Sequence, residues 1–131
     1  PGLPEYFDNE GRGLYAYLTG AASWYMLTMI TEVFGVKGDL GDLVIAPSLL
    51  PEQFDEKGSA GLKLEFARKK FEIIMHNPEK KDLRIEQIRR AVCDEKVVLE
   101  PEPEYGVRLR KSVIETLDPK KCHRIAVFFQ E

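Results

Sequence analysis

From Gly13 to Thr31 the sequence carries no Asp, Glu, Lys or Arg. Within that run, Thr19-Gly20 opens a segment that predicts a helix from Ala21 to about Phe34. The helix stops at Gly35, a residue suited to the left-handed position beyond a helix end. Its one charged residue is Glu32. A helix on the surface of a small domain shows an apolar stripe and a charged face, whereas one that is apolar nearly all round belongs inside something larger. A chain of 131 residues is too short to surround a helix on every side. The pattern therefore predicts a piece of a larger protein. A membrane span needs about twenty apolar residues. Here Thr19-Gly20, Ser23, Thr28 and Thr31 interrupt the run and Arg12 lies near its start, so a buried globular helix is the better reading.

The start of this helix is the one stretch whose residues point to a ligand. Thr19 suits the N-cap, because its hydroxyl accepts a hydrogen bond from a backbone N–H one turn on. Gly20 lets the backbone approach whatever sits at that end. The free N–H groups and the helix dipole there favour an anion. A plain capped helix, with no ligand, accounts for the same residues.

Bulk properties narrow the rest. Hydrophobic residues make up 44% and charged residues 31%, which provides for a real core in a soluble globular protein. A net charge of -3 gives no electrostatic reason to expect nucleic acid. Cys93 and Cys122 could pair, but two cysteines do not make a secreted disulfide scaffold, and reduced thiols in a cytoplasmic protein are the default. The opening Pro1-Gly2-Leu3-Pro4 has neither an initiator Met nor a signal-peptide pattern and reads as the middle of a loop.

Residues 1–18 read as loop throughout, with Pro1, Pro4, Asp8-Asn9-Glu10-Gly11 and Gly13 as turn residues. Glu5, Tyr6, Phe7 and Arg12 place a carboxylate, two aromatic rings and a guanidinium close together. Such a set can line a sugar site; ordinary loop packing explains it as well.

Beyond the helix, residues 35–42 read as a glycine-punctuated connection, residues 43–46 as a short strand ended by Pro47, and residues 47–60 as a linker. The period then changes to two. Leu62, Leu64 and Phe66 alternate with Lys63 and Glu65, and Phe71, Ile73 and Met75 alternate with Glu72, Ile74 and His76, the pattern of strands with one buried face. Residues 76–82 read as a turn; residues 83–92 fit a strand or a helix, and the alternating set Leu83, Ile85, Gln87 and Arg89 favours a strand. A short strand at 97–99 is broken by Pro101 and Pro103, and residues 107–114 and 123–129 complete the set. Successive strands with no helix between them imply an antiparallel β-sandwich.

Most catalytic arrangements are absent. His76, His123, Cys93 and Cys122 lack the spacing of a zinc site, and neighbours Cys122 and His123 on a strand point to opposite faces. There is no nucleophile elbow, Walker motif or dinucleotide glycine fingerprint. Lys69-Lys70 and Lys80-Lys81 read as solvated strand ends.

A set of motifs sharpens this picture. Pro4-Glu5-Tyr6-Phe7, Gly11-Arg12-Gly13, Tyr17-Leu18-Thr19-Gly20-Ala21-Ala22-Ser23-Trp24, Phe34-Gly35-Val36 and Gly41-Asp42-Leu43 together resemble the C-terminal part of the cellobiose phosphorylase family (glycoside hydrolase family 94). That family also takes in chitobiose phosphorylases and the phosphorylase-like part of cyclic glucan synthases. The resemblance is strong over residues 1–55 and thinner through the strands.

The resemblance implies a mainly β chain: residues 1–35 as the terminal loop and last helix of a helical (α/α) barrel, and residues 36–131 as a C-terminal β-sandwich. It implies phosphorolysis of a β-glycosidic bond with inversion. A general acid protonates the leaving oxygen while inorganic phosphate, a co-substrate needing no cofactor or metal, attacks from the opposite face. Thr19 and Gly20 match the Thr-Gly pair that contacts phosphate, with Glu5, Tyr6 and Arg12 as site-lining residues of no assigned role. The general acid matches nothing in this chain, which implies a fragment inactive alone. The implied partners are a di- or oligosaccharide, phosphate and an upstream barrel, with no nucleic acid or membrane. An uncovered apolar helix adds the expectation of a homodimer that hides Trp24, Met26, Leu27 and Ile30. Two other readings stay open. One is a stand-alone sandwich that binds carbohydrate or a protein partner, for which the sequence shows no exposed aromatic platform. The other is a structural module closing one end of the barrel.

Overall fold

The computed structural model describes residues 3–17, 20–83, 87–103 and 106–129, with the backbone alone for 3–5 and 15–17. The chain is mainly β, and nearly all its strand pairs are antiparallel.

Residues expected as loop at the start form a hairpin of β1 (Leu3–Phe7) and β2 (Gly13–Tyr17). Of the turn residues read from the sequence, Asp8-Asn9-Glu10-Gly11 make the reversal between the two strands, Pro4 and Gly13 lie within the strands, and Pro1 lies outside the described residues. Asp8 organises it, its Oδ1 accepting the N–H of Glu10 and of Arg12, both at 2.9 Å, while Gly11 sits at a φ of 79°. An Asp side chain that accepts backbone N–H groups ahead of it is a local device for closing turns.

Helix α1 (Gly20–Thr28) follows, lying beside both strands of the hairpin, and continues into a wider turn, Met29–Val33. There the Phe34 N–H reaches back to the Met29 carbonyl at 2.9 Å. Gly35 ends the helical run at a φ of 66°, the position the sequence assigns to it. A Cβ at Gly35 would lie 1.8 Å from the Ala46 carbonyl oxygen, so this junction is closed to any side chain.

The segment expected as a connection carries a strand. β3 (Val36–Asp39) pairs with β4 (Asp42–Ile45) through the two-residue turn Leu40-Gly41. β3 buries one residue, Val36, so it has no alternation to read. β5 (Ser59–Phe66) and β6 (Lys69–His76) form the long hairpin that the period-two pattern requires. The turn after His76 is held by buried Asn77, whose side chain donates to the Lys81 carbonyl and accepts the Lys81 N–H.

Three further expectations are corrected. Of the strand expected at 83–92, β7 (Arg90–Cys93) forms, Leu83 is buried in a turn, residues 87–89 are irregular, and residues 84–86 lie outside the described residues. β8 (Val97–Val98) pairs with β7. Pro101 does not break the chain: it lies inside β9 (Glu100–Glu102), an edge strand, where a missing N–H is tolerated. The expected strand at 107–114 ends early as β10 (Gly106–Leu109) and turns into α2 (Lys111–Thr116). The Lys111 N–H at the start of α2 donates to the Asp42 carboxylate at 2.6 Å, a partner 69 residues away in the chain. A helix between strands also corrects the run of strands without helices.

β11 (Cys122–Phe128) enters the five-stranded sheet β5-β6-β11-β7-β8, parallel to β6 and antiparallel to β7. The parallel pair departs from the all-antiparallel expectation. The second large sheet has the order β3-β4-β10-β9. Inward side chains of both sheets, including Leu43, Ile45, Leu109, Phe71, Ile73 and Ile125, belong to one buried cluster. Alternate residues along β6 and β11 are buried, which places the other set outside.

Candidate functional site

Of the residues singled out from sequence, Glu5, Tyr6 and Arg12 lie in the hairpin that precedes α1, and Gly20 begins the helix. Gly20 is half-buried. Thr19 lies outside the described residues. The first turn of α1 holds no acidic side chain, so the partial positive charge of that end is not neutralised by the helix itself. Glu5 lies in β1, one strand of the hairpin beside α1. Tyr6 follows it, with 63% of its surface exposed.

Arg12 is engaged within its own turn. Its Nε donates to Asp8 Oδ2 at 2.6 Å and its Nη2 approaches Glu10 at 3.3 Å. The Arg12 backbone N–H and guanidinium together hold the Asp8 carboxyl below the usual carboxylate range. The turn thus carries one cation between two carboxylates, and the guanidinium works on the hairpin geometry.

The helix itself is uncovered. None of its residues is buried, and Trp24 is 70% exposed, with Tyr25, Met26 and Leu27 also open. No helix among the described residues is long and apolar enough to cross a membrane.

Two polar clusters that local sequence does not announce lie elsewhere. On the four-stranded sheet Arg108 pairs with Asp39 at 2.9 Å, with Asp42 at 3.0 Å and with Glu102. Arg110 reaches Glu100 at 2.5 Å and shares Asp42. The Lys111 N–H and the two guanidiniums hold Asp42 ionised, and the carboxylates around Arg108 push its pKa further up. This network ties four strands together through side chains that already satisfy one another.

The second cluster centres on His123, which is buried. Its Nδ1 faces Asp94 at 2.6 Å and its Nε2 faces the Asp118 carbonyl at 2.9 Å. Burial opposes the imidazolium, but the Asp94 carboxylate and the Asp118 carbonyl outweigh it and raise the His123 pKa. Both ring nitrogens are occupied, so His123 has no lone pair to offer a substrate. Its role is to pin the start of β11 to the turns on either side. Cys122 beside it is exposed, so the two do face opposite ways, and neither cysteine is in a disulfide. Burial pushes the Cys93 thiol up to about 12, which keeps it protonated and unreactive.

No protein-family model and no curated protein matches this chain. Its chemistry has to be read from its own residues.

Proposed function

We propose that the chain is the C-terminal part of an inverting sugar phosphorylase that cleaves β-glycosidic bonds of di- and oligosaccharides with inorganic phosphate. Residues 1–35 would close a helical barrel, and residues 36–131 would form a β-sandwich beside it in a cytoplasmic enzyme. The observation that carries this reading is α1: it is uncharged to Thr31 and buries no residue, although an apolar helix needs neighbours. Barrel helices contributed by another segment would cover it.

In this reading the Thr19 hydroxyl and the N–H groups at the start of α1 hold phosphate against the anomeric carbon. One phosphate oxygen forms the new bond to that carbon from the face opposite the leaving sugar. The glycosidic bond breaks, and a carboxylic acid from the barrel protonates the departing oxygen. This chain supplies phosphate positioning and no general acid.

The test is a longer chain from the same reading frame, assayed for phosphate-dependent breakdown of a β-linked disaccharide. Thr19→Ala should raise the KM for phosphate about tenfold, the loss of roughly one charge-assisted hydrogen bond, with the KM for sugar little changed. Cleavage that ignores phosphate would overturn the reading, as would a Thr19→Ala enzyme with unaltered phosphate dependence.

A further inference from the structure

The outward side chains of the five-stranded sheet fall into rows that run across the strands; three of these rows build one feature, and a fourth, of Glu65, Lys70 and Cys122, lies beyond them. The strand register defines each row. His76, Phe128 and Arg90 stand abreast on β6, β11 and β7. Two residues along lie Gly61, Ile74, Ala126, Val92 and Val98. Two further along come Lys63, Glu72 and Arg124, with Asp94 bonded to the Arg124 backbone N–H at 2.9 Å. The middle row is small or apolar and the flanking rows are long on β6, β11 and β7, so the face is a trough there, open toward β5 where Ser59 stands beside His76. A cavity of about 750 Å³ lies between the two walls over Ala126 and Val92. A second, of about 290 Å³, continues it over Gly61 and Ile74, sharing Lys63 and Glu72 with the first.

The walls differ. On one side the rings of His76 and Phe128 are stacked, their centroids 4.8 Å apart and their planes 12° from parallel. On the other side charge alternates: Lys63 approaches Glu72 at 3.3 Å, and Arg124 donates from Nε and Nη2 to the same carboxylate at 3.0 and 2.9 Å. Arg90 and Glu95, which also line the cavity, make no ion pair among the described residues. Lys63, Arg90 and Arg124 thus face Glu72, Asp94 and Glu95, and the trough has no net charge.

We propose that this trough binds a neutral oligosaccharide chain. An anion would meet three carboxylates and a cation three basic groups. A sugar hydroxyl both donates and accepts, so it can bond to either sign along the charged wall, while the C–H faces of the rings lie against Phe128 and the apolar floor. The two walls are four residues apart along each strand, about 13 Å between backbones. Wall side chains narrow that further, too tight for a helix of about 10–12 Å diameter. An extended peptide would leave its amides unpaired, because the backbone groups of the inner strands are bonded to one another. From Gly61 to Val92 the trough crosses four strands, about 14 Å, room for about three rings.

This site is independent of the phosphate reading, since it uses no residue before Gly61. The chain as it stands can be titrated with cellotetraose and with maltotetraose while backbone amide resonances are followed. At least one sugar should shift the amides of Ile74, Val92, Ala126 and Phe128, with an affinity unchanged within about twofold between about 50 and 500 mM salt. Phe128→Ala should weaken binding about tenfold or more, the effect of losing one ring contact of roughly 1.4 kcal/mol. Ala126→Leu raises the floor from an outward position without touching the core, and should abolish binding in a chain that still melts like the parent. Four outcomes would overturn the proposal: no shifts from either sugar at about 10 mM, shifts confined to other residues, salt-sensitive binding of sulfate in the trough instead, or self-association through this face.

Discussion

The hairpin with α1 and the β-body after Gly35 are built from similarly apolar sequence, yet they use it in opposite ways. In the body, Phe71, Ile73, Ile125 and Val127 are fully buried in a cluster shared by two sheets. In α1 no residue is buried, and Trp24, Tyr25, Met26 and Leu27 all face outward. Apolar content alone does not decide burial; period does. A period-two pattern on paired strands gives each strand one inner face, which its own chain can cover. A helix that is apolar all round asks for neighbours on several sides, and this chain offers it a two-stranded hairpin.

The largest test of this contrast compares one residue from each region. Ile125→Ala should destabilise the chain by about 2–5 kcal/mol in urea unfolding, the cost of lost burial plus a cavity. Trp24→Ala should change it by less than about 0.5 kcal/mol, as for other exposed positions. Comparable losses at the two sites would mean that α1 is packed after all.

The body's own polar pins provide a sharper, intermediate test. The His123 pKa is raised in the folded protein, so its contribution is complete below the ordinary value of 6.5 and is lost as pH rises through the higher folded value. The Asp94 pKa is lowered: burial raises it, but His123 and the Arg124 N–H outweigh that, so the Asp94 contribution is present above 3.8 and lost as pH falls through the lower folded value. Urea midpoints should therefore decline from about pH 6 toward pH 9. His123→Asn should remove that decline and cost about 1–3 kcal/mol at the acid end. A decline that persists in the variant would place the titrating group elsewhere.

A smaller effect than at His123 is expected at the first turn of the body. Leu40 is 96% exposed and sits at a φ of 50°, beside Gly41 at 97°. Two positive φ values define a turn that favours Asn-Gly. Leu40→Asn should stabilise the chain by about 0.5–1 kcal/mol, read from the same urea curves. No gain would mean that the Leu40 side chain makes contacts worth as much as the relieved backbone.

The sequence was most legible where period and burial coincide. β5, β6 and β11 are legible as strands because each has one inward face, half-buried on β5 and buried on β6 and β11, and Gly35 from the need for a left-handed residue. β3 escaped because a single buried Val36 makes no pattern. α2 escaped because the partner of its first N–H is Asp42, far away in the chain, while Arg108, Lys111, Val113 and Ile114 imitate a strand. The hairpin at the start escaped because Asp8 and Gly11 look the same in a loop as in a reversal. The trough was hidden for another reason. Its aromatic wall joins His76 to Phe128, two residues that become neighbours only through a parallel register, and an aromatic platform sought as a local cluster is then invisible. For the proposed phosphate site, Gly20 begins a helix beside the hairpin, and Thr19 lies outside the described residues.

The position of β11 has a consequence for how the protein is made. It is the last strand among the described residues and stands in the middle of its sheet, between β6 and β7. On a ribosome, where residues emerge at about 5–20 per second, β5–β6 and β7–β8 come out as two hairpins, each with an open inner edge. Only the synthesis of Cys122–Phe128 joins them. Until then those edges are exposed to strands of neighbouring nascent chains, so the emergence of β11 is the step that protects both hairpins at once.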